Sequence, residues 1–187
     1  DEAKAKEALA ACGQPNGFET NIAYRAERPK EKATAESMQQ ALAKVGIKLT
    51  LKPFPQGDYF SQYAGNPGYA KDNKLGLILN GWGADWNDGF GFLSQVVDSR
   101  VIREAGGSSN VSVRDPKIDA LLDQAFAEPD TTKREAYWSQ IDQAVMDGAY
   151  IIPGIVAKSL LVRPKNLTNV FVTEAYNMYD YSALGVA

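Results

Sequence analysis

The chain has 187 residues, the length of one domain or of one domain with a small extension. With 44% hydrophobic and 10% aromatic residues it can bury a core, and no apolar run nears the roughly 18 residues of a membrane span. The formal net charge of -3 gives no basic face of the kind nucleic-acid binders carry.

Two absences narrow the chemistry. There is no histidine, which removes Ser-His-Asp and Cys-His catalysis and the commonest metal ligand. The single cysteine, Cys12, allows no internal disulfide and no thiolate zinc cage. No tight transition-metal site and no cofactor are expected. Cys12 ends an apolar helical stretch and reads as a buried, inert thiol.

In chain order, residues 2–11 read as a helix with Ala3, Ala8 and Leu9 facing inward and Gly13 as its stop. The opening Asp1-Glu2-Ala3-Lys4 is helical surface sequence and not a signal peptide; a signal or anchor would lie upstream in a longer parent. Residues 18–24 alternate as a strand. Pro29 opens a helix to about Val45, with Met38, Leu42 and Val45 on its apolar face and Gly46 as its end. Residues 47–54 form a second strand with Ile47, Leu49 and Leu51 on one face. This strand–helix–strand unit predicts a right-handed crossover between parallel strands. Residues 57–64 suit a short helix, 65–74 a loop, and 75–80 a strand buried on both faces.

A helix is expected over 90–97, then a polar loop to Arg114. Asp115-Pro116 starts a helix with Ile118, Leu121, Leu122, Ala125 and Phe126 as its apolar stripe. Another helix starts near 130–132, where Thr132 and Glu135 have capping-box spacing, and buries Tyr137, Ile141, Ala144 and Val145. Residues 151–153 and 155–162 look like strand, and Phe171, Tyr176, Tyr179 and Tyr181 in the tail read as packing. The pattern is α/β, with helices covering a mixed sheet.

The segment Gly81-Trp82-Gly83-Ala84-Asp85-Trp86-Asn87-Asp88-Gly89 is the candidate site. In open α/β sheets ligands bind beyond the carboxyl ends of strands, and glycine lets backbone approach a ligand. Trp82 and Trp86 offer flat apolar walls, and Asp85 a charge among them. The competing reading is a tight turn in which Asp85 caps an amide and the tryptophans are core. Asp85 and Asp88 also have the makings of a glycosidase carboxylate pair, with nothing else in the chain to support it. Lys133-Arg134 and the basic run from Arg100 to Arg103 read as solvated faces. Gly89-Phe90-Gly91 lacks the ending of a phosphate loop.

Five pieces, in order, resemble the C-terminal third of the peptide and oligopeptide solute-binding proteins of ABC importers (family 5 type). They are the helix ending at Cys12-Gly13, the run from Gln39-Gln40 to Gly46-Ile47, Gly81-Trp82-Gly83-Ala84-Asp85-Trp86, Asp115-Pro116-Lys117-Ile118-Asp119-Ala120-Leu121-Leu122, and Asp130 to Arg134 with Ile152-Pro153. The resemblance implies a type II periplasmic-binding-protein-like lobe. Residues 1–162 would be most of the C-terminal ligand-binding lobe, and 163–187 a terminal segment returning toward the hinge and a missing first lobe. It also implies an extracytoplasmic binding protein and not an enzyme, delivering a peptide-like solute to membrane permease subunits. In such proteins the residue matching Asp85 holds the ligand's ammonium group, and that matching Trp82 lines a side-chain pocket. Backbone near Gly83 bonds the peptide, with Ala84 and Trp86 in the same loop. Gly83 and Asp88-Gly89 depart from many members, which leaves the solute class open, and relatives also take oligosaccharides, opines or metal complexes. The other readings are a ligand-sensing domain of a transcription regulator and a glycosidase.

Overall fold

The computed structural model describes residues 1–158, 160–173 and 177–187; Ser159 and Tyr176, which fall in an expected strand and in the aromatic tail, lie outside them. The chain divides into two compact units, Asp1–Gly81 with Val101–Ser112, and Trp82–Arg100 with Val113–Ala187.

The first unit is built on three parallel strands in the order β2-β1-β3: β1 Glu19–Arg25, β2 Lys48–Phe54 and β3 Leu77–Ile78. The β1–β2 register runs from Glu19 opposite Lys48 to Arg25 opposite Phe54. Helix α2, Pro29–Ala43, makes the crossover, as the strand–helix–strand reading expects. Its Ala35, with Met38 and Leu42, packs on Ile22, Tyr24 and Leu49. The opposite face of β1 presents Ala23 to Tyr59 and Ala64, so the central strand is buried on both sides. Gly46 ends the α2 segment at φ +88 and lies against Gly17, where a Cβ would fall 2.1 Å from the Gly46 carbonyl oxygen. Only glycine permits that approach.

Five expectations change in this unit. Helix α1, Glu2–Ala11, is capped by Asp1 and buries Leu9 alone, leaving Ala3 and Ala8 exposed. Cys12 is exposed as well, its thiol donating to the Leu9 carbonyl at 3.2 Å, because it lies past the helix end that buries Leu9. Residues 67–72 are not loop. Pro67–Asp72 is helix α3, with Asn66 accepting the Tyr69 amide at 3.0 Å and Pro67 in its first turn, so the residues that signal a turn here start a helix. The strand expected over 75–80 pairs only at Leu77–Ile78, and both residues are half-buried, since β3 is an edge of the three-strand order. The short helix expected at 57–64 is a π-helical turn, Tyr59–Tyr63.

That turn carries the unit's main polar device. Arg25 is 7% exposed and pairs with Glu31, whose Oε2 accepts from both the Arg25 backbone amide (3.0 Å) and Nε (3.1 Å). The guanidinium carbon sits 5.5 Å from the ring centroids of Tyr59 and of Phe60. The Tyr59 hydroxyl lies between the carbonyls of Ala23 (2.9 Å) and Leu79 (2.8 Å). Burial, helped by the Glu31 charge, holds this phenol far above its ordinary pKa, so it stays a donor. The bond to Leu79 fixes the backbone two residues before Gly81.

The second unit is helical. Helices α4 (Phe90–Val97), α5 (Pro116–Ala127) and α6 (Thr131–Asp147) share a core of Val96, Val97, Ile118, Leu122, Ile141 and Val145. Asp115 caps α5 through the Lys117 amide at 2.9 Å, with Pro116 in the first turn. Phe126 does not join the stripe. It is 73% exposed, its ring 5.0 Å from that of Phe90. Asp130 and not Thr132 caps α6, accepting the Lys133 amide at 2.9 Å. The basic side chains are not merely solvated. Arg100 bridges Asp98 (2.8 Å) and Asp123 (2.6 Å), and Arg134 is drawn into the candidate site. Burial opposes the Asp98 charge, but the hydrogen bonds and charge of Arg100 outweigh it and hold the carboxyl below its ordinary pKa.

Beyond α6 no strand forms among the described residues of 151–162. Ile155, Val156, Leu160 and Val162 are 79–99% exposed. Their apolar, partly β-branched composition reads as strand, but among the described residues no strand of this unit pairs with them. Two short antiparallel pairs follow: β4 Leu167–Thr168 with β7 Gly185–Val186, and β5 Val172–Thr173 with β6 Met178–Tyr179.

Candidate functional site

Segment 82–89 belongs to the second unit and is held by its own backbone and by α6. The Asp85 amide donates to the Gly91 carbonyl at 3.3 Å, and the Asp88 amide to that of Trp86 at 2.8 Å. Asp88 fastens the segment. Its Oδ1 accepts the Phe90 amide at 2.9 Å, opening α4, and its Oδ2 accepts Arg134 Nε at 3.0 Å. Arg134 Nη1 then donates to the Glu128 carbonyl at 3.0 Å. Both Asp88 oxygens are therefore engaged in holding the loop. That argues against its use in a glycosidase pair, which needs a carboxyl free to act on substrate.

The structure separates the five candidate residues. Trp82 is half-buried against the unit's core, its indole N–H directed at the Gly91 carbonyl at 3.4 Å. Gly83 and Asp85 are exposed, and Ala84 is half-buried. Trp86 is 47% exposed, stacked on Phe90 with centroids 6.2 Å apart. A Cβ at Gly81 or Gly83 would meet nothing within 4 Å, and neither residue has a positive φ. Nothing among the described residues requires glycine at those two positions.

A cavity of about 430 Å³ opens between the segment and one face of α6. Ala84 and Trp86 line it from the segment, beside Asp88; Thr131, Arg134, Glu135 and Trp138 line it from α6. Sequence reasoning missed the α6 contribution. The signal was there as Thr131, Arg134, Glu135 and Trp138 at i, i+3, i+4 and i+7, a helical face distinct from the apolar one.

Gly89 shapes the cavity wall. Its backbone is ordinary helical (φ -57, ψ -30), yet a Cβ would lie 2.7 Å from Trp138 Cγ. Gly89→Ala is therefore expected to push the indole aside and cost about 1–3 kcal/mol, as overpacking does. Gly83→Ala, in open space, is expected to stay within about 0.5 kcal/mol. Denaturant unfolding with tryptophan emission measures both, and equal stabilities would show that Trp138 has room to move.

Bacterial extracellular solute-binding proteins, family 5 Middle, match residues 1–103. Heme-binding protein A of Haemophilus influenzae is 32% identical over 157 residues, 82% of this chain but only 27% of its own length. Among solved structures, clavulanic acid biosynthesis oligopeptide binding protein 2 superposes on all of this chain with TM-score 0.94 and 37% identity, over 34% of its own chain. The periplasmic binding protein DppA from Helicobacter pylori, in complex with peptide STSA, covers 80% of this chain at TM-score 0.66 and 28% identity, over 27% of its own. The chain thus spans about a third or less of the proteins it matches, and its fold is that of the type II periplasmic binding proteins. It belongs to family 5 of the bacterial extracellular solute-binding proteins.

Proposed function

We propose that this chain is the larger part of one lobe of a solute-binding component of an ABC importer, and that the full-length parent captures a peptide-like solute and passes it to permease membrane subunits outside the cytoplasm. It acts by binding and release, not by catalysis. The observation that carries the reading is the 81–86 segment. Two glycines for which the described residues give no internal reason stand near an exposed aspartate, on a loop fastened by Asp88 and Arg134. Glycines kept clear of the chain's own atoms leave room for backbone contact with something outside it. Asp85 would take the solute's ammonium group, Gly83 its main chain, and Trp82, Ala84 and Trp86 its flanks. The peptide-bound and oligopeptide-binding relatives support a peptide over other solutes. The heme-binding relative is the reason to test the solute directly. The family's extracellular description speaks against a transcription regulator.

In this reading residues 1–162 form most of the lobe and 163–187 return toward the missing one. The exposed apolar run Ile155, Val156, Leu160 and Val162 would then be covered by the rest of the parent. A two-lobed clamp surrounds its ligand, and this chain supplies one wall. The isolated chain is therefore expected to bind a mixed di- to hexapeptide library far more weakly than the parent does. Calorimetry on both decides it: affinity in the isolated chain equal to the parent's would contradict the two-lobed account. The solute itself is read by mass spectrometry of what the unfolded parent releases, with short peptides as the expected result.

A further inference from the structure

We propose that the cavity between segment 84–89 and α6 is a binding site for a small organic cation, of the quaternary-ammonium kind, on the second unit alone. Its volume of about 430 Å³ is within the usual range of small-molecule sites. Two of its walls are indoles. Trp86 leans on Phe90 (6.2 Å between centroids) and Trp138 on the Gly89 backbone, so each is fixed from one side while both line the opening. The charges of the lining sum to one negative. Asp88 and Arg134 neutralise each other at 3.0 Å. Among the described residues no lysine or arginine nitrogen pairs with the exposed Glu135. The N-terminus of α6, which would favour an anion, carries the Asp130 carboxylate as its cap. Indole faces attract a cation through their quadrupole, best where the cation is weakly hydrated, and a carboxylate at the mouth adds to the same sign. An anion would meet Glu135 and the electron-rich faces, and a neutral apolar molecule would gain nothing from the carboxylate.

The probe is choline, with 3,3-dimethyl-1-butanol as its uncharged isostere, titrated into the 187-residue chain while the three indole N–H signals are followed by NMR. Choline is expected to shift the Trp86 and Trp138 signals and leave that of Trp82, which points at the Gly91 carbonyl. The isostere is expected to shift none of them at the same concentration. Trp138→Leu should weaken choline binding by about 3- to 30-fold, and Glu135→Gln by up to about 5-fold. Equal shifts from the isostere would make the cavity a plain apolar hole. Shifts confined to Trp82, or shifts that do not saturate as choline is raised, would overturn the site. Because neither probe is a peptide, failure here leaves the Asp85 reading standing, and the reverse holds as well.

Discussion

Asp85→Asn in the full-length parent is expected to weaken binding of an accepted peptide by about 2–5 kcal/mol, roughly 30-fold to several thousand-fold. The reasoning begins with solvation. An ammonium ion enclosed between two lobes loses its water and needs a fixed negative partner. Asp85 is exposed on this chain's own surface, so the enclosure must come from the solute and the rest of the parent. Its backbone is already held by the Gly91 carbonyl at 3.3 Å, and the loop by Asp88 and Arg134, so little ordering remains to be done on binding. Asparagine keeps the shape and removes the charge. An aspartate that only terminates a turn would change affinity by about 0–1 kcal/mol, the range of an exposed ion pair. The two accounts differ by magnitude, and isothermal calorimetry resolves them. Asp88→Asn gives a useful contrast. It should act mainly on stability, because both Asp88 oxygens face the chain itself.

The second large effect is on folding. Glu31→Ala strips the nearly buried Arg25 of its anionic partner and of the acceptor for its backbone amide. Side-chain exposures of 9% and 16% place the pair close to the interior. Removing one member of a buried pair typically costs about 3–5 kcal/mol, because the other charge stays behind without compensation. Replacing both, as Arg25→Met with Glu31→Ala, is expected to recover much of that loss, since the aliphatic chain can pack on Tyr59 and Phe60. The exposed Lys48–Glu19 pair is the control. Breaking it should leave the unfolding midpoint nearly unchanged. A Glu31→Ala midpoint as high as that control's would mean that Arg25 finds water in the folded state.

Much of this architecture was legible in the residues. The alternation of Leu49 and Leu51 gave β2 its face, though the strand starts one residue after Ile47, and Asp115-Pro116 marked a helix start that the structure realises with Asp115 accepting the Lys117 amide. What misled were signals with two meanings. Asn66-Pro67-Gly68 reads as a turn, yet asparagine before proline is also a cap before a first helical turn. The apolar run from Ile155 to Val162 reads as strand, but a strand needs a neighbour, and pattern alone does not say whether this chain holds one. Phe126 fits the α5 stripe by spacing and still points outward, because the Phe90 ring and not the core meets it. At the site, the glycine–tryptophan–aspartate string drew attention to residues 82–86. The roles of Arg134, Glu135 and Trp138 depend on a contact between segments some fifty residues apart, such as that of Asp88 with Arg134, which no local pattern reveals.

The most direct test of the account combines one variant and one modified ligand. A peptide that the parent binds is measured with a free and an acetylated N-terminus, against the parent and against Asp85→Asn. If Asp85 holds the ammonium group, acetylation weakens binding to the parent strongly and to the variant much less, because both changes remove the same interaction. Equal losses on acetylation in the two proteins would place the amine elsewhere and contradict the proposed role of Asp85.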